Sequence, residues 1–138
     1  MALDYPAVQQ LIYGYWNAMD RRDYPAVLDC LTDDVEWRAS SSCEGRAAVA
    51  KALEQRPANL VVRHFISNLV VEGGDDRREA FFLIAAFARV VDDGDVAPYP
   101  TDAPQVIGDV RATVVATPHG PKIAKLAASV IFRAEQHA

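Results

Sequence analysis

The apolar residues of this 138-residue chain have a different period in its second half, after Pro57, and that change narrows the folds open to it. Before Pro57 they recur mainly every three or four residues. Val8, Leu11, Ile12, Tyr15, Trp16 and Met19 form one stripe, preceded by Asp4 as a capping carboxylate and Pro6 in the first turn. Asp23 and Pro25 repeat the start signal for a shorter stripe of Val27, Leu28 and Leu31. Val35 to Ala39 alternates and predicts a short strand, Ser40 to Ser42 and Gly45 read as loop, and Arg46 to Arg56 predicts a third helix that Pro57 ends.

After Pro57 the pattern is that of strands. Asn59–Glu72, Arg77–Val91, Gln105–Thr117 and Lys122–Ala134 are long strand candidates. Gly73 to Asp76 and Thr117 to Pro121 are short, turn-like separators that predict antiparallel hairpins. The separator Asp92 to Pro104 carries Pro98, Pro100 and Pro104, is too long for a tight turn, and reads as a rim loop or lid. Helices followed by strands predict a single α+β domain over 1–138, with helices on one face of a curved antiparallel sheet. A strongly bent sheet closed by helices leaves a pocket between them, where small molecules bind.

Composition excludes several functions. With 51% apolar and 24% charged residues the chain is an ordinary globular one. A net charge of -5 argues against nucleic acid, which needs clustered Lys and Arg. The longest apolar run, Ala80 to Ala88, is far short of a membrane span, and the start of the chain lacks a secretion signal, so the expected location is cytoplasmic. Cys30 and Cys43 are too few for a disulfide framework, and no metal, dinucleotide or nucleotide motif is present, so no cofactor is expected.

Two polar residues stand out. His64, mid-strand, shares a face with Val62, Ile66, Asn68 and Val70 by the two-residue period, so a buried imidazole there needs a partner. Asp20 ends the first helix on the edge of its apolar stripe, facing the negative end of the helix dipole. Each has a plain reading: a structural histidine bonded to a backbone carbonyl, and a solvated charge beside Arg21, Arg22 and Asp23. A bond between the two resolves both oddities and leaves the second imidazole nitrogen as a general base. Tyr15, central in the helix stripe, is a candidate acid or oxyanion donor, and Trp37 a candidate aromatic wall, although both residue types are more often core. Phe65, Asn68, Phe82 and Phe87 complete the expected substrate lining. Arg111 is a candidate for an anionic substrate group, or else belongs to a solvated face beside Asp109. His119 in its Pro-flanked turn reads as exposed, and His137 belongs to a tail, Ala134 to Ala138, that reads as frayed.

The pattern Tyr15-x4-Asp20-Arg21-Arg22-Asp23-Tyr24-x3-Leu28, then Leu31 to Trp37, then Arg63-His64-Phe65-Ile66-Ser67-Asn68, resembles the SnoaL-like branch of the nuclear transport factor 2-like superfamily. The resemblance implies a cone-shaped α+β barrel: a curved, mostly antiparallel sheet closed by three helices. It also implies a helix-end aspartate and a strand histidine acting as a dyad, as in its scytalone dehydratase and bile-acid 7α-dehydratase members, and these positions fall on Asp20 and His64. The tyrosine that the bile-acid enzyme carries five residues before its aspartate falls on Tyr15. Trp37 stands where scytalone dehydratase has a tyrosine, and the strand after His64 carries no histidine. The function implied is a lyase of dehydratase type, or an isomerase, acting without a cofactor on an apolar, cyclic substrate. The alternative is a non-catalytic ligand-binding or assembly domain. Apolar residues on both sheet faces (Ala112, Val114, Ala127, Ile131) and the family habit together imply a homodimer or homotrimer.

Overall fold

A computed structural model describes residues 3–101 and 103–135; the first two residues and His137 lie outside the described residues. Helix α1 spans Tyr5–Asp20, and the Asp4 carboxylate caps it by accepting from the Ala7 N–H at 2.9 Å. Helix α2, Tyr24–Asp29, starts the same way, with Asp23 accepting from Ala26 N–H. Strand β1 (Leu31–Arg38) follows and begins earlier than its alternation suggests. The stretch around Ser42, expected as loop, supplies a three-residue strand β2 (Ser42–Glu44) paired antiparallel with β1. Three polar or small residues carry too little pattern to signal a strand; pairing with β1 makes it one. Helix α3 is Arg46–Glu54.

The long strands are β3 (Leu60–Gly73), β4 (Arg77–Val90), β5 (Val106–Thr117) and β6 (Gly120–Arg133). All six form one sheet in the order β2-β1-β6-β5-β4-β3. Neighbours are antiparallel except β1 and β6, which run parallel. The sheet is open: β2 and β3 are its edges, so the expected barrel is not closed.

One face of the sheet is covered. Val62, Ala80, Phe82, Ile84, Val110, Ala112, Val114 and Leu126 are buried there against Val8, Ile12, Tyr15 and Trp16 of α1 and Val49 and Leu53 of α3. The opposite face leaves Phe65 62% and Phe132 66% exposed. The two faces do not keep strict alternation along β3. Its pairing with β4 slips between Ser67 and Val70, and Asn68 there adopts φ +58°. Beyond the bulge Leu69 and Val71, rather than Asn68 and Val70, continue the face of His64. This corrects the two-residue extrapolation, since one inserted residue moves every later side chain to the other face.

The described part of the segment between β4 and β5, expected as a rim loop or lid, lies along the exposed face of the sheet. Arg89 donates to the Pro100 carbonyl, and Tyr99, Pro100 and Thr101 lie with Arg63 and Phe87 around a hollow of about 610 Å³ on the exposed face.

Candidate active site

Between α1, α3 and the covered face lies a chamber of about 560 Å³. Its walls are Tyr15, Trp16 and Met19 from α1, Trp37 from β1, Leu53 from α3, and small or aliphatic side chains of β3 to β6. The small residues are what leave it hollow: Ala86, Ala88, Gly108 and Ala128 stand where longer side chains would fill it.

His64 opens onto this chamber and Asp20 holds it from behind. The carboxylate lies 2.5 Å from the imidazole Nδ1 through one oxygen and accepts the His64 backbone N–H at 2.8 Å through the other. Both side chains are nearly enclosed, at 9% exposure for Asp20 and 12% for His64. Trp16 lies against the imidazole, ring centroids 4.6 Å apart. With Nδ1 occupied, Nε2 has no hydrogen-bond partner among the described residues. A carboxylate on Nδ1 fixes the tautomer with the proton there, so Nε2 presents its lone pair.

Tyr15 is fully buried, and its oxygen accepts a hydrogen bond from the Trp37 indole Nε1 at 2.8 Å. Because indole N–H only donates, the phenol proton is free for another acceptor. Burial pushes the Tyr15 phenol well above its ordinary value; the Trp37 hydrogen bond opposes this, nearby Cys30 adds to it, and the Arg56 charge opposes it. Tyr15 is therefore suited to hydrogen-bond donation in its neutral form.

The remaining expected lining is placed elsewhere. Phe82 is 3% exposed and belongs to the solid core. Phe65 and Phe87 stack edge to face on the open side of the sheet, centroids 5.7 Å apart. Asn68 sits at the bulge, beside a shallow hollow on that side together with Arg111. The Arg111 guanidinium lies over the Phe81 ring at 5.0 Å, with Glu79 at 3.7 Å. These five do not line the chamber because strand parity, set by the bulge and by which face α1 covers, directs them away or beneath it. Ile131 of the apolar set is 53% exposed, whereas Ala112 and Val114 are fully buried under the helices. Sequence reasoning passed over Arg56, Arg133 and Ser40, which do line it. Arg56 reads in sequence only as the last charged residue before Pro57, and nothing local marks it.

Among the described residues no group of three or more His, Cys, Asp or Glu could hold a metal ion, and no helix is long and apolar enough to cross a membrane.

An open curved sheet closed by helices, with its cavity beneath α1, is the cystatin-like architecture of nuclear transport factor 2-like proteins. The chain belongs to the SnoaL-like domain family, whose pattern it matches over residues 1–127. Among solved structures it is similar to a scytalone dehydratase-like protein of Novosphingobium aromaticivorans, at 17% identity and TM-score 0.80, covering 96% of this chain and 87% of that one. It is similar also to a type 2 hexachlorocyclohexane dehydrochlorinase (16% identity, TM-score 0.74, covering 92% and 84%). The β subunit of benzoate 1,2-dioxygenase from Burkholderia mallei shares the fold at 16% identity and TM-score 0.76, covering 94% and 92%. No curated protein sequence matches it. At these identities the likeness establishes the fold.

Proposed function

We propose that the protein is a lyase of dehydratase type, or an isomerase, in which the Asp20–His64 pair removes a carbon-bound proton from a small cyclic substrate. The observation that carries the reading is the Asp20 carboxylate 2.5 Å from Nδ1 of a histidine whose other nitrogen has no hydrogen-bond partner among the described residues and faces a largely apolar chamber.

In an elimination, His64 Nε2 takes the proton from the carbon beside a carbonyl. The C–H electron pair forms the enolate, whose oxygen accepts a hydrogen bond from the Tyr15 phenol. That pair then becomes the carbon–carbon double bond as the β-hydroxyl leaves, and the leaving oxygen takes the proton from the imidazolium as water. In an isomerisation the same proton returns to a different carbon. Asp20 stabilises the imidazolium and keeps it aimed. Apolar walls exclude water and strengthen each of these interactions. The relatives named for dehydration and dehydrochlorination are consistent with such chemistry.

The test is turnover of a panel of cyclic β-hydroxy ketones, followed by the absorbance of the conjugated product. His64→Ala and Asp20→Asn are each expected to cut the rate at least about a hundredfold, the size of a lost general base. Full activity in both variants overturns the reading.

The exposed aromatic face favours a second reading, a ligand-binding or assembly domain, and in either case supports self-association into a dimer or trimer through Phe65, Leu83, Ile107 and Phe132. Light scattering that finds a monomer at micromolar concentration contradicts that assembly. Substrate and solvent-exposed partners apart, a cytoplasmic location remains part of this proposal.

A further inference from the structure

The charged side chains at the chamber do not match the protein as a whole. The chain carries 19 acidic and 14 basic residues, yet the ionised side chains that line the chamber are Arg56 and Arg133, with no carboxylate among its lining residues. Arg56 follows α3 and is held in place: its Nη1 donates to the Tyr24 hydroxyl at 2.9 Å and its guanidinium lies 5.7 Å from the Tyr24 ring centroid. Neither arginine forms an ion pair among the described residues; Arg38, Arg46, Arg77, Arg78 and Arg111 do, and Arg21, Arg22, Arg63 and Arg89, which do not, lie outside the chamber lining. A guanidinium has five N–H donors, and the Tyr24 bond uses one of those on Arg56. Such donors at the edge of an apolar cavity are matched by a carboxylate, which takes two of them in parallel.

From this arrangement we infer that the chamber's ligand is an amphiphilic anion: an apolar ring body against Trp16, Trp37 and the alanine-lined sheet, with a carboxylate held by Arg56 and Arg133. The inference rests on the proposed function, since it concerns the same chamber. It adds orientation. With its anionic group on the arginines, the ring body extends along the chamber wall that carries His64, and the substrate's negative charge is kept on the cationic groups rather than against the Asp20 carboxylate.

Both tryptophans of the chain line the chamber, so intrinsic fluorescence reports on its occupancy directly. The full chain is titrated with 2-naphthoate and with the neutral 2-naphthamide, and the His64 ring resonances are followed in parallel by NMR. The acid is expected to bind at least about tenfold tighter than the amide, the discrimination that one charge-assisted hydrogen bond supplies. Arg56→Gln should bring acid and amide to within about threefold, with Arg56→Lys recovering part of the preference. Equal affinity of the two probes in the unaltered protein, with His64 shifting on binding, overturns the anionic ligand and leaves the chamber and its dyad standing. Naphthoate binding that ignores Arg56→Gln and leaves His64 unmoved places the anion elsewhere and overturns the inference, as does a failure of naphthoate to bind at millimolar concentration. Loss of turnover in the His64 and Asp20 variants is independent of all these outcomes, so the two proposals fail separately.

Discussion

Asp20 grips His64 at two points, the imidazole Nδ1 and the backbone N–H, and so ties the end of α1 to the middle of β3. One carboxylate thus both orients a side chain and fixes the position of the strand that carries it. Replacing Asp20 by Ala leaves a nearly enclosed N–H and ring N–H without acceptors, and should lower stability by about 2 kcal/mol. Asp20→Asn keeps one acceptor and should lose less. Denaturant melts measure the difference; in addition, ¹⁵N spectra of the unaltered protein should show the His64 proton on Nδ1, and a proton on Nε2 alone contradicts the arrangement.

Tyr15→Phe deprives the Trp37 indole of its acceptor. Trp37 is 3% exposed, so the cost should be about 1–3 kcal/mol. The effect depends on pH. Because burial holds the native phenol protonated above its ordinary value, the unfolded chain loses that proton above about pH 10 while the native state retains it. Stability therefore falls as pH rises past that point, and the fall should be shallower in Tyr15→Phe. Urea melts between pH 9 and about pH 11 test this; equal slopes for both proteins would refute it.

Gly108 lies where β5 and β6 approach closely at the chamber wall. A Cβ there would stand 2.8 Å from the Ser129 carbonyl oxygen, a backbone atom that cannot swing away. Gly108→Ala should lower stability by about 1–3 kcal/mol, the usual scale of forced overpacking, and reduce ligand entry as well. A melting temperature unchanged by the substitution would show that the strands have room to part.

Asn68 occupies left-handed backbone, φ +58°, at the β3 bulge. Asn68→Gly should be neutral to within about 0.5 kcal/mol, whereas Asn68→Val should cost about 1–2 kcal/mol, because a branched Cβ collides with its own carbonyl there. Thermal melts of the pair distinguish this from a simple loss of the Ser67 to Asn68 side-chain contact, which would affect both variants alike.

What the sequence by itself determined was local. Asp4 with Pro6, and Asp23 with Pro25, are capping pairs whose effect depends on the next three residues alone, and both helices begin where those residues place them. The long strands follow from their own strand-type apolar segments and the turn-like residues between them. The meeting of Asp20 and His64 was legible in a different way, since each is an uncomfortable residue in its own segment and the two discomforts have one remedy. What only the tertiary structure decided was side. Whether Phe65 or His64 faces the helices depends on which surface α1 covers, and whether Asn68 does depends on a bulge set by pairing with β4. Arg56 becomes a chamber residue because α3 packs against β1, which brings its C-terminal end to the same cavity as Tyr15 and Trp16 of α1. Period is a property of a segment and survives in the string of letters; facing is a relation between segments, and it exists once the sheet has curved around its contents.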